Sequence, residues 1–335
     1  MYKQPESSLW QGRIDSEENL PSDRYHQKVQ MLDLTGRIDT KDTRRHFAII
    51  GFECDEGVRR NKGTIGAAEA PPSIKQALAK LPFPFFDSVN ILDAGSVQCE
   101  NQHMEEAQSA LADVYKTLSL HNITPIILGG GHETVYGHYL GVRKAYGENA
   151  SIGILNLDAH FDMRSYKETT SSGTMFKQIL DQDNHTAYMP VGIQKHGNTI
   201  ALFQRAEQYK CEYILEEEIT SQSLSVSLEK IRCFCSANDH ILLTLCMDVI
   251  NVKDAPGVSA PSPFGLNAKI IRSFIQEALK QGNVVSFDIC ETNPKLDCDN
   301  RTVHLAALYV AEYIACSIEK ARNSDFLLKG NKNAF

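Results

Sequence analysis

The sequence lacks the features of a membrane or secreted protein. No apolar run approaches the roughly 18 residues needed to cross a bilayer, and Met1–Pro21 is polar, without the apolar core of a signal peptide. The nine cysteines are an odd number and show no paired spacing apart from Cys233 and Cys235. Because disulfide frameworks use regularly spaced pairs, reduced thiols and a cytoplasmic location are expected.

The sequence also lacks an excess of positive charge. Its formal net charge is −8, and no cluster of lysine and arginine occurs, which argues against a nucleic-acid-binding surface. A hydrophobic content of 42% supplies a substantial core, and 335 residues lie within the range of one α/β domain. We therefore expect the partner to be a small-molecule substrate, not a nucleic acid or a membrane.

Apolar, β-branched segments alternate with segments of helical periodicity, which is the pattern of parallel βαβ units. Strands are predicted at His46–Phe52, Val89–Ala94, Thr124–Leu128, Ile152–Leu157, Ala187–Ile193, Glu212–Leu215, His240–Met247 and Val284–Ile289. Helices are predicted at Pro71–Leu81, Met104–Leu120, Glu133–Tyr146, Ile200–Tyr209, Leu224–Cys235, Ala268–Lys280 and Thr302–Ala321. The pattern predicts an α/β fold of three layers, αβα, around a mostly parallel sheet of roughly eight strands.

The chain is expected to form a single domain over residues 1–335, with a polar N-terminal extension over residues 1–40. The stretch Met163–Asn184 has no clear apolar periodicity and is predicted to be a long loop beside the functional site. His138 is predicted to be an ordinary residue on a helix face.

Asp158, His160 and Asp162 follow the apolar segment Ile152–Leu157 at two-residue intervals. On an extended backbone, residues i, i+2 and i+4 share one face, so these three side chains converge. Two carboxylates and an imidazole suit a divalent cation of intermediate hardness, such as Mn, Fe, Co or Zn. The alternative is an acidic cluster that caps the next element.

Other predicted strands also end in potential ligands. His132 follows the glycines at 129–131 after one strand, Cys246 and Asp248 end another, and Glu291 follows the last. Ligands of open α/β sheets bind beyond the carboxyl ends of the strands, so these side chains are expected along one edge. A capping or supporting role is the alternative for His132, and a structural ion pair is the alternative for Glu291.

The motifs Gly-Gly-Gly-His132-Glu, Asp158-Ala-His160-Phe-Asp162 and Cys246-Met-Asp248 together resemble those of the ureohydrolases, the arginase and agmatinase superfamily. Within that superfamily, the chain looks most similar to the formimidoylglutamase branch of histidine degradation. The supporting segments cover nearly the whole chain in the expected order: Trp10–Arg13, Gly51–Gly63, Ser172–Phe176, Gly192–Gln194, Ala255–Pro261 and Asp288–Asp297.

The resemblance implies an arginase-like fold, a homo-oligomer and a binuclear Mn²⁺ centre. Carried over to this chain, His132 and Asp162 would hold one ion, His160 and Asp248 the other, and Asp158 would bridge them. Cys246 stands where the family has a second bridging aspartate. A thiolate is softer and offers one donor atom instead of two, so Zn²⁺, Fe²⁺ or a single ion are alternatives, as is an inert buried cysteine.

The activity implied is hydrolysis of the C–N bond of a linear amidine: formimidoylglutamate and water would yield glutamate and formamide. Two cations would lower the pKa of a water, and the resulting hydroxide would attack the formimidoyl carbon. Asp162 would pass a proton to the leaving amine, and Glu291 would hydrogen-bond the iminium end of the substrate.

Residues that would bind the glutamate part of the substrate lie in neighbouring loops. Arg164 is the main candidate because an arginine fork is the usual partner of a carboxylate, although a solvated or structural arginine is equally expected. Asn61, Ser172 and Thr174 are further candidates. Two other functions stay open: another ureohydrolase, such as an agmatinase or a guanidino-acid hydrolase, and a metal-depleted, non-catalytic relative.

Overall fold

A ten-stranded sheet runs through the described residues, which are 1–16, 22–38, 43–85 and 88–330 of the computed structural model. Its strands are β1 (Tyr2–Lys3), β2 (Gln30–Met31), β3 (Arg45–Glu53), β4 (Val89–Gln98), β5 (Ile123–Leu128), β6 (Ile152–Leu157), β7 (Thr186–Ile193), β8 (Ile214–Leu215), β9 (His240–Cys246) and β10 (Val284–Cys290). The order is β1-β4-β3-β5-β10-β9-β6-β7-β8, with β2 beside β4. Only β1 runs antiparallel to its neighbour among these strands. The prediction of a mostly parallel sheet is confirmed, and every predicted strand is present.

Helices cover both faces of the sheet. They are α1 (Tyr25–Lys28), α2 (Glu56–Arg60), α3 (Ala70–Ala79), α4 (Met104–Leu120), α5 (Thr134–Tyr146), α6 (Met175–Gln182), α7 (Ile200–Gln208), α8 (Leu224–Ser236), α9 (Ala268–Gln281) and α10 (Arg301–Gly330). Side chains of α3, α8, α9 and α10 pack on one face, and those of α4, α5, α6 and α7 pack on the other. The three-layer αβα prediction is therefore confirmed. No helix in the described part of the chain combines the length and the apolar character of a membrane span.

The apolar runs of the sequence become strands because both of their faces are buried. In β3, Phe47 and Ile49 join the core on one face of the sheet, whereas Ala48 and Ile50 join the core on the other. Successive side chains of a strand point to opposite faces, so a strand covered on both sides needs an unbroken apolar run.

The prediction of a loop over Met163–Asn184 is wrong for its second half, which forms α6. Met175, Phe176 and Ile179 are buried in the core beneath the sheet. These three apolar residues fit less than two helical turns. So short an apolar pattern, surrounded by polar residues, is hard to tell from a loop by periodicity alone.

The polar N-terminal residues pack against the sheet. Tyr2 and Lys3 pair with β4, and Trp10 and Tyr25 are buried in the core. Residues 17–21 and 39–40 of the predicted extension lie outside the described residues. Although this segment is polar in composition, a few buried aromatic side chains therefore hold it against the core.

A buried ion pair ties the N-terminal segment to the sheet. The Lys75 ammonium lies 2.6 Å from a carboxylate oxygen of Asp93 and donates to the Gly95 carbonyl oxygen at 2.9 Å. The indole nitrogen of Trp10 donates to the other Asp93 oxygen at 2.7 Å. Both charged side chains are almost completely buried, so neither can be removed without leaving the other charge uncompensated.

We predict that Lys75→Ala lowers the free energy of unfolding by about 3–5 kcal/mol, because it leaves the Asp93 carboxylate buried and unpaired. Urea unfolding followed by circular dichroism and by the fluorescence of Trp10, the single tryptophan of the chain, measures this change. The matched control is Lys144→Ala, which removes the solvent-exposed pair with Asp113 and should cost less than about 1 kcal/mol. Equal losses in the two variants would contradict the prediction.

Candidate metal centre

The candidate ligands follow four strands that lie side by side in the sheet, in the order β5, β10, β9 and β6. His132 follows β5, Asp158 follows β6, Cys246 ends β9, and Glu291 follows β10. Because these strands are parallel, their carboxyl ends meet at one edge of the sheet. The arrangement matches the expectation drawn from the sequence.

The glycine turn before His132 fits a space that no larger residue could enter. A Cβ atom on Gly130 would lie 1.9 Å from the carbonyl oxygen of Cys54. The Gly130 carbonyl oxygen also accepts a hydrogen bond from the Glu291 backbone N–H at 2.8 Å, and the His132 backbone N–H donates to the Glu291 carboxylate at 3.0 Å. Glycine is required here because of the close backbone approach, and the turn fixes the position of His132.

The predicted ligands form two groups that share Asp158. One group contains His132, Asp158 and Cys246, the other contains Asp158, His160 and Asp248, and in each group the donor atoms lie within 4.8 Å of one another. Asp162 joins the first group through His132, since its carboxylate lies 2.9 Å from His132 Nδ1. The geometry brings together the whole predicted ligand set.

Within each group, donors also contact one another. Nδ1 of His132 lies 3.1 Å from a carboxylate oxygen of Asp158, and Nδ1 of His160 lies 3.1 Å from a carboxylate oxygen of Asp248. The second oxygen of Asp248 is buried and has no hydrogen-bond partner among the described residues. A buried carboxylate oxygen without a partner costs free energy, and a cation would remove that cost. This orphaned atom and the mixed oxygen, nitrogen and sulfur donors fit a divalent transition metal.

The backbone is strained at two candidate residues. Asp162 has a φ of 46° and Glu291 a φ of 65°, in the left-handed region that residues other than glycine seldom adopt. Such conformations cluster at functional sites, where the surrounding structure holds them in place. Here Glu291 directly follows β10, Asp162 lies five residues after β6, and both carboxylates line the cavity.

Acidic groups are crowded together in this buried region. Burial, together with the nearby carboxylates of Glu133 and Asp248, raises the pKa of Glu291 to about 8. Burial likewise raises the pKa of the Cys246 thiol well above its usual value. Burial disfavours a charge on His132, but hydrogen bonds to Asp158 and Asp162 outweigh it and raise the pKa of the imidazole. The surplus of acidic groups makes this edge of the sheet a strong attractor for cations.

A cavity of about 110 Å³ opens above these residues, which is room for a small molecule. It is lined by His132, His160, Asp162, Cys246, Asp248, Glu291, Asn61, Arg164 and Ser172, and by Val58, Gly63, Ser259 and Ala260. Val58, Gly63, Ser259 and Ala260 were not predicted individually from the sequence. The segments 51–63 and 255–261, which carry the family resemblance, contain all of them.

The candidate substrate-binding residues differ in where they lie. Within the described part of the chain, the exposed Arg164 side chain has no hydrogen-bond or ion-pair partner, whereas the guanidinium groups of Arg59 and Arg60 are paired with Glu56. Thr174 does not line the cavity. Its hydroxyl donates to the Ser171 carbonyl oxygen at 3.0 Å at the start of α6, so the structure gives it a local, structural role.

Comparison with known proteins agrees with the fold. The sequence model of the arginase family matches residues 45–316. The chain is 50% identical to a formimidoylglutamase of Geobacillus sp. (strain WCH70) over 93% of this chain and 95% of that protein. It is 38% identical to a formimidoylglutamase of Staphylococcus aureus (strain MRSA252) over 94% of this chain and 100% of that protein.

Solved structures show the same fold at lower identity. The formimidoylglutamase from Bacillus subtilis superposes with a TM-score of 0.75 at 22% identity, covering 83% of this chain and 88% of that one. Trypanosoma cruzi formiminoglutamase with Mn²⁺ gives a TM-score of 0.74 at 23% identity, covering 82% of this chain and 95% of that one. The chain belongs to the arginase family. Within that family, the relatives named above are formimidoylglutamases.

We predict that Cys246 contributes to metal binding. Cys246→Ser should lower metal content, since a hydroxyl is a poor ligand at neutral pH, and Cys246→Asp should increase Mn²⁺ content by restoring a carboxylate. Metal analysis after equilibration at one fixed free Mn²⁺ concentration measures both effects. Cys235→Ser is the matched control, because Cys235 is equally buried but lies on α8, away from the site. Equal Mn²⁺ content in the wild type and both Cys246 variants would show that Cys246 is not a ligand.

Proposed function

We propose that this protein is a metal-dependent hydrolase that converts formimidoylglutamate and water to glutamate and formamide. The observation that carries the proposal is the pair of ligand groups sharing Asp158, in the same cavity as Arg164, whose side chain has no partner among the described residues. The identity with formimidoylglutamases over nearly the whole chain supports the same substrate. We further propose that residues 1–335 form one domain of a cytoplasmic homo-oligomer; the continuous sheet supports a single domain, and free thiols are typical of a reducing compartment.

The proposed cofactor is a pair of Mn²⁺ ions, as named for the Trypanosoma cruzi relative. His132, Asp158, Asp162 and Cys246 would hold one ion, and Asp158, His160 and Asp248 would hold the other. When bound, such a pair lowers the pKa of water so that a nucleophile forms near neutral pH. The thiol of Cys246 favours Zn²⁺ or Fe²⁺ more than an aspartate would, so this residue bears on which metal is preferred.

Protein side chains form hydrogen bonds with the nitrogen atoms of the substrate and transfer protons to them. Glu291 lines the cavity and hydrogen-bonds the formimidoyl nitrogen, which turns the carbon towards the ligand groups. Attack of water on that carbon breaks its bond to the glutamate nitrogen, which must gain a proton to leave as an amine. Asp162, the partly exposed carboxylate beside His132, takes up a proton from the attacking water and passes it to that nitrogen.

Arg164, Asn61 and Ser172 bind the carboxylates of the substrate. A Cβ atom on Gly173 would lie 3.0 Å from Arg164 Cδ and 3.2 Å from Asn61 Nδ2, so the two side chains converge on this glycine. The Arg164 guanidinium has no carboxylate of the described chain to neutralise it and is available to the substrate. Agmatine carries a cationic amine where formimidoylglutamate carries carboxylates, so an unpaired arginine favours the acidic substrate.

We predict that Asp158→Ala abolishes both metal binding and hydrolysis, because Asp158 is the ligand that the two groups share. Metal analysis and release of glutamate from formimidoylglutamate measure the two effects, and circular dichroism checks the fold. Asp299→Ala, which removes an exposed aspartate, should change neither quantity. Full metal content with retained turnover in Asp158→Ala would exclude a shared-ligand centre.

We predict that Arg164→Ala raises KM for formimidoylglutamate about tenfold or more, since a hydrogen bond to a charged group contributes roughly 1.5–3 kcal/mol. The effect on small neutral amidines should be much smaller. Arg59→Ala is the matched control, because Arg59 is already paired with Glu56 and does not line the cavity. An unchanged KM in Arg164→Ala would mean that other residues bind the carboxylates.

A further inference from the structure

A continuous chain of buried hydrogen bonds runs from the candidate ligand His132 into the interior. None of its side chains is more than 1% exposed. In order, the chain is His132, Thr244, Asp288, His138, Ser286 and Tyr115. The residues come from β5, β9, β10, α5 and α4 or their ends, so the chain links the metal centre to both the sheet and the helices behind it.

The first part of the chain orients the imidazole of His132. Its Nδ1 faces the carboxylates of Asp158 and Asp162, while its Nε2 lies 3.2 Å from the hydroxyl oxygen of Thr244. The Thr244 hydroxyl donates to Asp288 at 2.7 Å, and the register of β9 and β10 pairs these two residues directly. With its proton committed to Asp288, the Thr244 oxygen accepts from His132, which places the ring proton on Nε2.

Nδ1 of His132 faces the carboxylates of Asp158 and Asp162, which accept its proton, so a cation that displaced this proton would meet the electron pair of Nδ1 among the other candidate ligands. Metal-binding histidines commonly donate their second N–H to a carboxylate or another acceptor, which fixes the tautomer and strengthens the ligand. Here a threonine hydroxyl relays that interaction to the Asp288 carboxylate. The link therefore serves the same purpose as a direct histidine–carboxylate hydrogen bond, with one residue inserted.

The second part of the chain holds Asp288 in place. Nδ1 of His138 lies 2.5 Å from the second Asp288 oxygen, and Nε2 of His138 lies 2.6 Å from the Ser286 hydroxyl. Tyr115 donates to Ser286 at 3.1 Å, so the Ser286 proton goes to His138 Nε2 and the His138 ring proton lies on Nδ1. The Cys290 thiol adds a further donor to Asp288 at 3.2 Å. Every donor in the chain points towards Asp288, which fully satisfies this buried carboxylate.

We propose that Thr244 and Asp288 are positioning residues that set the tautomer and orientation of His132 for metal binding, and that His138 fixes Asp288 in turn. The inference rests on the proposed metal-dependent function and identifies the residues behind the ligand set. The three residues affect binding of the ion more than recognition of the substrate.

The test compares Thr244→Val, which keeps the shape and removes the hydroxyl, with Thr244→Ser, which keeps the hydroxyl. Calorimetric titration of the metal-free proteins with Mn²⁺ should show about 10–100-fold weaker binding in Thr244→Val. Thr244→Ser should bind close to the wild-type strength, and KM for formimidoylglutamate at saturating Mn²⁺ should stay unchanged in both. Thr186→Val is the matched control, because it removes a hydroxyl bound to Asp183 at the start of β7, away from the site.

Unchanged Mn²⁺ affinity in Thr244→Val, with active wild type, would overturn the inference and leave the proposed function standing. A wild type that binds no Mn²⁺ and releases no glutamate would instead overturn the proposed function and the inference with it.

A second measurement needs no variant: long-range ¹H–¹⁵N correlation spectra of the metal-free protein should show the His138 proton on Nδ1. A proton on Nε2 of His138 would contradict the order of donors on which the inference rests.

Discussion

The alignment of four parallel strand ends is the constraint on which the rest of this structure depends. It brings the ligands after β5, β6 and β9 and the carboxylate after β10 to a single buried edge. Burying so many acidic groups together is unfavourable unless something neutralises them. The fold must therefore supply both the free energy that holds these side chains in place and the geometry that a cation requires.

Two of the buried carboxylates that do not line the cavity, Asp93 and Asp288, show how the fold meets that cost. Asp93 is neutralised by Lys75 and by the Trp10 indole, and Asp288 is surrounded by hydroxyl, imidazole and thiol donors. Asp248, in contrast, has one oxygen without a hydrogen-bond partner in the described part of the chain, and it is a candidate ligand. A cation bound at this edge would supply the missing partner of the Asp248 oxygen.

Much of the fold and of the ligand set could be predicted from the sequence, because both depend on short-range periodicity. Strands buried on both faces are unbroken apolar runs, and the two-residue spacing of Asp158, His160 and Asp162 predicts that they converge. The strand itself ends at Leu157 and Asp162 has a φ of 46°, so a bend after the strand, not a continued strand, brings the three side chains together. The helix Met175–Gln182 could not be predicted in the same way, since its short apolar pattern becomes meaningful only when it packs against the core. Thr174 was expected in the cavity, but the start of this helix takes up its hydroxyl.

The hydrogen-bonded chain behind His132 was beyond prediction for a different reason. Its members are far apart in sequence, and Thr244 meets Asp288 only through the register of β9 and β10. The local sequence of His138 predicts an ordinary helix-face residue, because nothing in it indicates that Asp288 and Ser286 lie opposite the His138 ring. Periodicity predicts which face a side chain occupies, whereas partners from distant elements depend on the tertiary arrangement.

The strands carry the candidate ligands and the connecting segments carry the candidate substrate-binding residues, which follows from the same constraint. The ligands stand on or directly after strands of the sheet core, where packing holds them to within narrow limits. Arg164, Asn61 and Ser172 lie on the connecting segments above the edge, and segments of this kind can change with less disturbance of the core than strands. One metal-binding edge can therefore serve different amidine substrates when only these segments differ. The ligand set alone does not determine the substrate, which depends on Arg164 and its neighbours.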